Sequence, residues 1–322
     1  MGGMRVLVTG ASGFVGSLLV PRLCEAGHSV RAFGRDEGRV RAALARAAQR
    51  PRRAQRPQAS EVEVLVGDAL TGSGLEEALA DVQVAYYLIH SMERTPSGPS
   101  GFPQRERAAA ENFARAASSA GVERIVYLGG LVPHWSSRHL ESREQVERIL
   151  LAGVPGSLAL RASIVIGARS RSFRLLVRLV ERMPVLTLPA WQRFRTQPID
   201  ERDVIEMLAA AATANIDGRL EIGGPDVLSY GEMLTRIADL MLVRRPAVKL
   251  RVNMTGLAAR VAAAIAGEAP ELVAPLMEGL QGDLLPAEDR AAERLGVRLH
   301  SFDSAVEHAL AEWEQFEPLA AR

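Results

Sequence analysis

A glycine-rich turn carries the clearest chemistry in this sequence: Val6-Leu-Val-Thr-Gly10-Ala-Ser-Gly13-Phe-Val-Gly16 follows a short apolar run and opens a stretch of helical periodicity. Each glycine answers a physical demand. Gly10 permits a tight turn, Gly13 lets backbone N–H groups approach a diphosphate, and Gly16 lets the helix pack closely on the strand. A helix N-terminus at this point offers unpaired donors and a partial positive charge to phosphates. Thr9, Gly10, Ser12, Gly13, Phe14, Val15 and Gly16 are therefore the candidate diphosphate cradle.

The second strand of such a unit usually ends in a carboxylate that binds a ribose 2′-hydroxyl. Here it reads HSVRAF and ends in Gly34-Arg35. An arginine there can clamp a 2′-phosphate through its planar fork of donors, with Arg31 as a weaker second. Asp36 leaves the ribose alternative open. NADP(H) is thus the preferred dinucleotide and NAD(H) a possible one. Further along, Arg171, Arg174, Arg178 and Arg182 recur at helical spacing opposite Phe173, Leu176, Val177 and Val180. That pattern gives an amphipathic helix with a cationic face, followed by Trp191-Gln-Arg-Phe-Arg195. It reads as a helix roofing a substrate cleft, or as a peripheral membrane contact through residues 170–195. Arg39 to Arg56 holds seven arginines and no acid. It has no aromatics for base stacking, so it reads as a solvated insertion and nucleic acid is an improbable partner.

These residues need a frame to position them. Arg5–Thr9, Ser29–Phe33, Glu61–Val66, Val84–Ile89, Arg124–Leu128 and Ser157–Ile166 are strand candidates, with helical stretches between them. Pro21 should kink the first helix or loosen one of its hydrogen bonds. The alternation implies right-handed crossovers and a doubly wound α/β parallel sheet of Rossmann type. After Gly167 come a helix over Ser170–Arg182, a helix from Asp203, a strand at Arg219–Ile222 and a helical tail: Tyr230–Leu242, Thr255–Ala266, Pro270–Leu280 and Asp303–Phe316. Residues 1–166 are expected to form a dinucleotide-binding domain, completed by about 196–224. Residues 167–322 are expected to form a smaller α-rich lobe for substrate or partner. The chain has 322 residues, a net charge of +1 and one cysteine, Cys24. That balance excludes intramolecular disulfides and argues against bulk binding to nucleic acid. With no secretory leader or long apolar run read in it, a cytoplasmic location is expected.

Thr9–Gly16 matches the TGxxGxxG motif, and the chain resembles the short-chain dehydrogenase/reductase superfamily. Gly67-Asp68 resembles its adenine-contacting segment, Thr196–Val204 its Pro-Ile…Asp-Val segment, and Arg219–Pro225 the linker of its extended, epimerase-like branch. Tyr86–Met92, Ala109–Ala117, Leu128–Leu131 and Leu160–Gly167 are similar to the atypical, NmrA-like NAD(P)H-binding reductases, relatives of the dinucleotide-binding accessory subunit of respiratory complex I. The resemblance places Asp68 and Ala69 at the adenine, and Ile89 and His90 where the cofactor ribose passes. It also implies a Tyr-x-x-x-Lys pair, which this sequence lacks. Tyr86, Tyr87, Tyr127 and Tyr230 are followed four residues later by His, Ser, Leu and Leu, and Lys249 is the sole lysine among 39 basic residues. In its place stands His139-Leu-Glu-Ser-Arg143, and Gly129-Gly130 replace the helper serine. Arg143 can bind a ribose or phosphate but is a poor proton shuttle. His139 could serve as an acid. His134 and Trp135 could line a pocket. The expected function is an NAD(P)H-dependent oxidoreductase on a small, fairly apolar substrate, working without the Tyr-Lys pair. The alternative is a non-catalytic NADP(H)-binding redox sensor or assembly factor.

Overall fold

Short runs rich in Val, Ile and Leu cannot amass helical turns between their flanking Gly and polar residues, and they pair as strands instead. A computed structural model describes residues 3–49, 62–89, 102–132, 138–249, 282–288 and 290–319, leaving out the side chains of residues 102, 138–140 and 249. Its main sheet contains β1 (Arg5–Thr9), β2 (Ser29–Gly34), β3 (Glu63–Val66), β4 (Val84–Tyr87), β5 (Arg124–Gly130), β6 (Leu158–Ala162) and, much later in the chain, β11 (Gly218–Ile222). The strand order is β11-β6-β5-β4-β1-β2-β3, with every pairing parallel. The direction of winding reverses between β1 and β4. That is the switch point at which such sheets open a crevice beyond their carboxyl ends.

Helices cover both faces. On one side α1 (Phe14–Glu25), α2 (Glu37–Ala48), α7 (Glu201–Ala211) and α9 (Ala291–Leu295) share a core with Val6, Val8, Tyr86 and Leu160. On the other, α3 (Leu75–Leu79), α4 (Phe102–Ser119) and α5 (Arg138–Gly153) pack on Leu7, Phe33, Tyr87 and Tyr127. This is the doubly wound Rossmann architecture expected from the alternating pattern. A third core joins α6 (Arg171–Arg182), α8 (Tyr230–Leu240) and α10 (Phe302–Trp313) around Phe173, Trp191, Tyr230 and Trp313.

Several local expectations change. Ser157–Ile166 is not one strand. The backbone N–H of Ser163 donates to the Ile222 carbonyl, and its hydroxyl meets the Thr196 hydroxyl at 2.9 Å. The first bond carries the β6–β11 ladder one residue further; beyond it the chain leaves the main sheet, and β7 (Val165–Ile166) pairs with β10 (Ile199–Asp200). Helix α7 starts at Glu201 rather than Asp203, because the Asp200 carboxylate caps the Arg202 N–H at 2.7 Å. Five short strands escaped the sequence: β10, together with β8 (Leu186–Leu188), which pairs with β13 (Ala247–Lys249), and β9 (Arg195–Thr196), which pairs with β12 (Leu228–Ser229). Helix α1 continues through Pro21, whose missing N–H leaves the Ser17 carbonyl without its helical donor. The helices expected at 255–266 and 270–280, and most of the arginine-rich stretch, lie outside the described residues.

The arginine-bearing helix is amphipathic but does not lie on a surface. Phe173, Val177 and Val180 are fully buried in the third core. Arg178 is 8% exposed and is paired with Glu181 and Glu317, while Arg174 stacks 4.3 Å from the Trp313 ring. Its apolar face is consumed by packing, which leaves none to insert into a bilayer. Among the described residues, no helix is long and apolar enough to cross a membrane.

Candidate functional site

The turn after β1 takes the shape its glycines permit. Gly10 has φ +65°, and a Cβ there would lie 2.5 Å from the Leu88 carbonyl oxygen. A Cβ on Gly16 would lie 2.4 Å from the Gly10 carbonyl oxygen, so this glycine lets α1 close on the turn itself rather than on the strand. The Gly13 N–H donates to Gly10 O at 2.8 Å, and the Ser17 N–H to Gly13 O. Helix α1 then begins with no side-chain cap and no acid in its first turn. The amides of Phe14, Val15 and Gly16 are the donors that an α-helix leaves without intrahelical partners. Thr9 is fully buried. Its hydroxyl donates to the Tyr86 carbonyl at 2.9 Å and accepts from the Leu88 N–H at 3.2 Å, tying β1 to β4 behind the turn.

A cleft of about 660 Å³ crosses the carboxyl ends of the strands above this turn. Gly10, Ser12, Gly13, Phe14, Val15 and Gly16 line its middle. Arg35, Asp36 and Arg39 line one end, beside Asp68, Ala69 and Leu70 from the loop after β3. Ile89, Gly129, Gly130 and Arg143 lie toward the other end, which is walled by Leu131, Ile164, Leu175, Leu176, Tyr230 and Leu284. The candidate residues from five loops are thereby brought to one groove. Thr9 is not among its lining residues. His90, His134 and Trp135 lie outside the described residues, as does the side chain of His139 in the first turn of α5.

Local bonds fix the groove's walls. The Asp36 carboxylate accepts the Arg39 N–H at 2.8 Å as the N-cap of α2, a role the sequence left open. Arg31 is placed elsewhere. It donates to Glu63 at 2.7 Å and to the Ala80 carbonyl at 2.6 Å, near the amino end of the sheet, and does not line the cleft. The Asp68 carboxylate accepts the Leu70 N–H at 2.9 Å, and Asn112 on α4 donates to the carbonyls of Ala69 and Leu70. Asn112 belongs to a segment that sequence comparison singled out, but its bracing of the adenine-side loop was not apparent.

The tyrosines are all buried. Tyr86 donates to the Leu208 carbonyl at 2.8 Å, and Tyr87 stacks edge-on with Phe113; burial pushes both phenols up. Burial also pushes the Tyr230 phenol up to about 12, against the opposing hydrogen bond with Thr196. Tyr127 is pushed up to about 12 by burial, and its hydroxyl reaches the Arg143 carbonyl at 3.5 Å. Its ring fills the space beside Gly129, where a Cβ would lie 2.9 Å from Tyr127 Cε1. A serine at 129 therefore could not coexist with this tyrosine rotamer. The Arg143 Nε is buried and has no hydrogen-bond partner among the described residues. Arg105 and Glu106 of α4 also line the cleft, with Glu106 accepting from the Ser142 hydroxyl at 2.9 Å. The sequence reading missed this pair, although the first turn of a helix that follows a central strand faces the crevice.

Residues 3–155 match the model of the NmrA-like family. The chain is 31% identical over 129 residues to a 3-beta-hydroxysteroid dehydrogenase of Mycolicibacterium neoaurum, a match covering 38% of this chain and 31% of that relative's length. The crystal structure of gox2253 superposes with a TM-score of 0.71 at 22% identity, covering 98% of this chain and all of the other. TunA, an NAD-dependent NDP-hexosamine 5,6-dehydratase of tunicamycin biosynthesis, superposes with a TM-score of 0.68 at 17% identity over 98% and 99% of the two chains. The match to the NmrA-like family model takes in just under half of the chain, and over nearly its whole length the chain shares the Rossmann-type α/β fold of these solved structures.

Proposed function

We propose that the cleft binds a nicotinamide dinucleotide, NADP(H) in preference to NAD(H), and that the protein is an oxidoreductase of a small, largely apolar substrate. The observation that carries this reading is the uncapped start of α1 at the switch point of the sheet, beneath a groove wide enough for a dinucleotide. A diphosphate supplies the acceptors that the amides of Phe14, Val15 and Gly16 require. Arg35 and Arg39 at the groove's end suit a 2′-phosphate, and the Asp36 carboxylate is occupied in capping α2. Asp68 and Ala69, on a loop braced by Asn112, would meet the adenine, and Ile89 would border the ribose on the path that includes His90.

When bound, the nicotinamide ring supplies the donor or acceptor of a hydride. Arg143 would present its buried Nε to a ribose hydroxyl. Its charge is permanent at working pH, so it positions and does not shuttle protons. His139, four residues earlier on α5, is the proton donor in this reading, imidazole being the side-chain type suited to acid–base work near neutral pH. Ile164, Leu175, Leu176 and Leu284 exclude water from the substrate end and favour an apolar ligand. The name of the hydroxysteroid dehydrogenase relative points the same way.

The experiment is NADPH oxidation against a panel of apolar ketones. Turnover should fall about 100-fold or more on His139→Ala, and an unchanged rate would remove His139 from the chemistry. A second reading is a non-catalytic NADP(H) sensor or assembly factor. It is favoured by the tyrosines that line the cleft, Tyr87, Tyr127 and Tyr230: burial pushes all three phenols up, the last two to about 12, too far above working pH for efficient proton transfer. In that case NADP(H) alters oligomeric state or partner binding without turnover, and steady turnover rejects it.

A further inference from the structure

Three hydroxyls from distant parts of the chain converge at the apolar end of the cleft. Ser163 follows β6, Thr196 ends β9 and Tyr230 opens α8. The Ser163 and Thr196 hydroxyls lie 2.9 Å apart, and Thr196 is hydrogen-bonded in turn to the Tyr230 phenol. Ser163 and Tyr230 line the cleft, whereas Thr196, which links them, is fully buried. Backbone bonds fix each member. The Ser163 N–H donates to the Ile222 carbonyl at 3.1 Å, the Tyr230 N–H donates to the Phe194 carbonyl at 3.0 Å, and Thr196 pairs with Leu228 and with Leu284. The Tyr230 ring meets Trp191 edge-on, with 6.2 Å between centroids.

Three hydroxyls carry three protons, and the two links between them use two. Among the described residues these hydroxyls have no hydrogen-bond partners beyond one another, so one proton is left over. Leaving it on Thr196 would strand a fully buried donor, which folded proteins avoid. It falls to Ser163 or Tyr230, the two members at the cleft. The Thr196 bond favours ionisation of the phenol, as a bond donated to the phenol oxygen does. The order Ser163 to Thr196 to Tyr230 therefore leaves the Tyr230 proton for a ligand. Burial keeps that phenol protonated at working pH, so it donates a hydrogen bond and does not shuttle a proton. We infer that the Tyr230 hydroxyl, oriented by Thr196 and Ser163, anchors an oxygen of the substrate and so selects an apolar molecule bearing a carbonyl or hydroxyl group. The inference rests on the proposal that this end of the cleft takes the substrate. A phenol suits both groups: its O–H donates to a carbonyl oxygen, and its lone pairs accept from an alcohol. Beside it Ile164, Leu175, Leu176 and Leu284 supply apolar side chains only.

The test is calorimetric titration of the full chain and of its Tyr230→Phe and Thr196→Val variants with cyclohexanone, cyclohexanol and methylenecyclohexane, rings of one shape that differ in oxygen. The ketone is added to the NADP+-loaded chain and the alcohol to the NADPH-loaded chain, pairs between which no hydride can pass. Tyr230→Phe keeps the ring and deletes the donor. It should weaken the ketone and the alcohol about fivefold to a hundredfold, leave the hydrocarbon no weaker, and bind NADPH as the wild type does. Thr196→Val should show a smaller loss with the same selectivity. Unchanged affinity for the oxygenated rings in Tyr230→Phe, an equal loss for all three rings, or a wild-type chain that binds neither the ketone nor the alcohol would overturn the anchor and leave the dinucleotide proposal standing. The same titrations on the nucleotide-free chain separate the other failure. A chain that takes up no dinucleotide overturns that proposal, and the variant's selectivity among the rings still decides this one. Unfolding midpoints identify a variant that has lost its fold; should Tyr230→Phe be one, unchanged affinities in Thr196→Val overturn the anchor.

Discussion

Gly10 and Gly13 lie three residues apart in one turn, yet the geometry assigns them opposite duties, and alanine substitution separates the two. At Gly10 the methyl would enter a left-handed backbone, φ +65°, 2.5 Å from the Leu88 carbonyl oxygen. The left-handed conformation costs about 1–2 kcal/mol for a residue with a Cβ. Displacing the β4 backbone costs about 1–3 kcal/mol more. Gly10→Ala should therefore lose about 2–5 kcal/mol of folding stability. At Gly13 the backbone is extended, with φ −77° and ψ 174°, which any residue adopts. Its methyl would meet the Gly10 carbonyl oxygen at 3.0 Å, with no other contact recorded within 4 Å, and Gly13 lines the cleft. Replacing a glycine N-cap costs about 1 kcal/mol or less. The methyl would nevertheless stand in the space a phosphate needs to reach the amides of Phe14 to Gly16. Each charge-assisted bond lost is worth about 1.5–3 kcal/mol, or about tenfold to a hundredfold in affinity. Gly13→Ala should fold almost normally in urea denaturation and fail in NADPH titration. A Gly13→Ala protein that binds NADPH like the wild type would refute the cradle, as would a Gly10→Ala protein of undiminished stability for the turn geometry.

Other expectations follow from the same geometry. Arg35→Ala should erase a preference for NADPH over NADH in parallel titrations; equal wild-type affinities would remove Arg35 from the site. Glu147 is 2% exposed and grips Arg161 through two 2.8 Å bonds while also pairing with Arg219. Glu147→Gln removes the nearest carboxylate of Arg161, leaving Glu221 at 3.7 Å, and should cost about 1–3 kcal/mol in urea denaturation; an undiminished stability would contradict this. Burial first, and the neighbouring Arg22 charge second, hold the His28 imidazole below its ordinary 6.5, and its Nδ1 accepts the Met4 N–H at 3.3 Å. A depressed value means the unfolded chain takes up the proton first. The stability linked to neutral His28 is therefore present above pH 6.5 and lost as pH falls through the imidazole's own lower value. His28→Gln should flatten that part of the stability-pH curve, and an unchanged slope would exclude the linkage.

The strand-helix alternation and the glycine turn were legible in the sequence because they depend on local rules: apolar runs for buried strands, and glycine where the backbone must turn or approach closely. What required the fold was information about partners. Ser163 reads as one more residue in an apolar strand, whereas the chain leaves the main sheet just after it because Val165 and Ile166 find their partners in Ile199 and Asp200, more than thirty residues on. Arg174 and Arg178 read as a solvated face because their acceptor Glu317 and their ring partner Trp313 lie more than a hundred residues away in sequence. Asp36 and Arg31 both resemble ribose ligands by position, and one caps a helix while the other braces the far end of the sheet. Gly129 has a similar lesson. Its lack of a side chain reads as an absent helper serine, and the structure supplies a steric reason in the ring of Tyr127.

The most direct measurement is a calorimetric titration of the purified chain with NADPH. Saturable 1:1 binding that weakens in Gly13→Ala, with folding intact, is the expected result. A wild-type chain that takes up neither NADPH nor NADH would contradict the account at its root, because the uncapped turn at Phe14 to Gly16 would then have no ligand to hold.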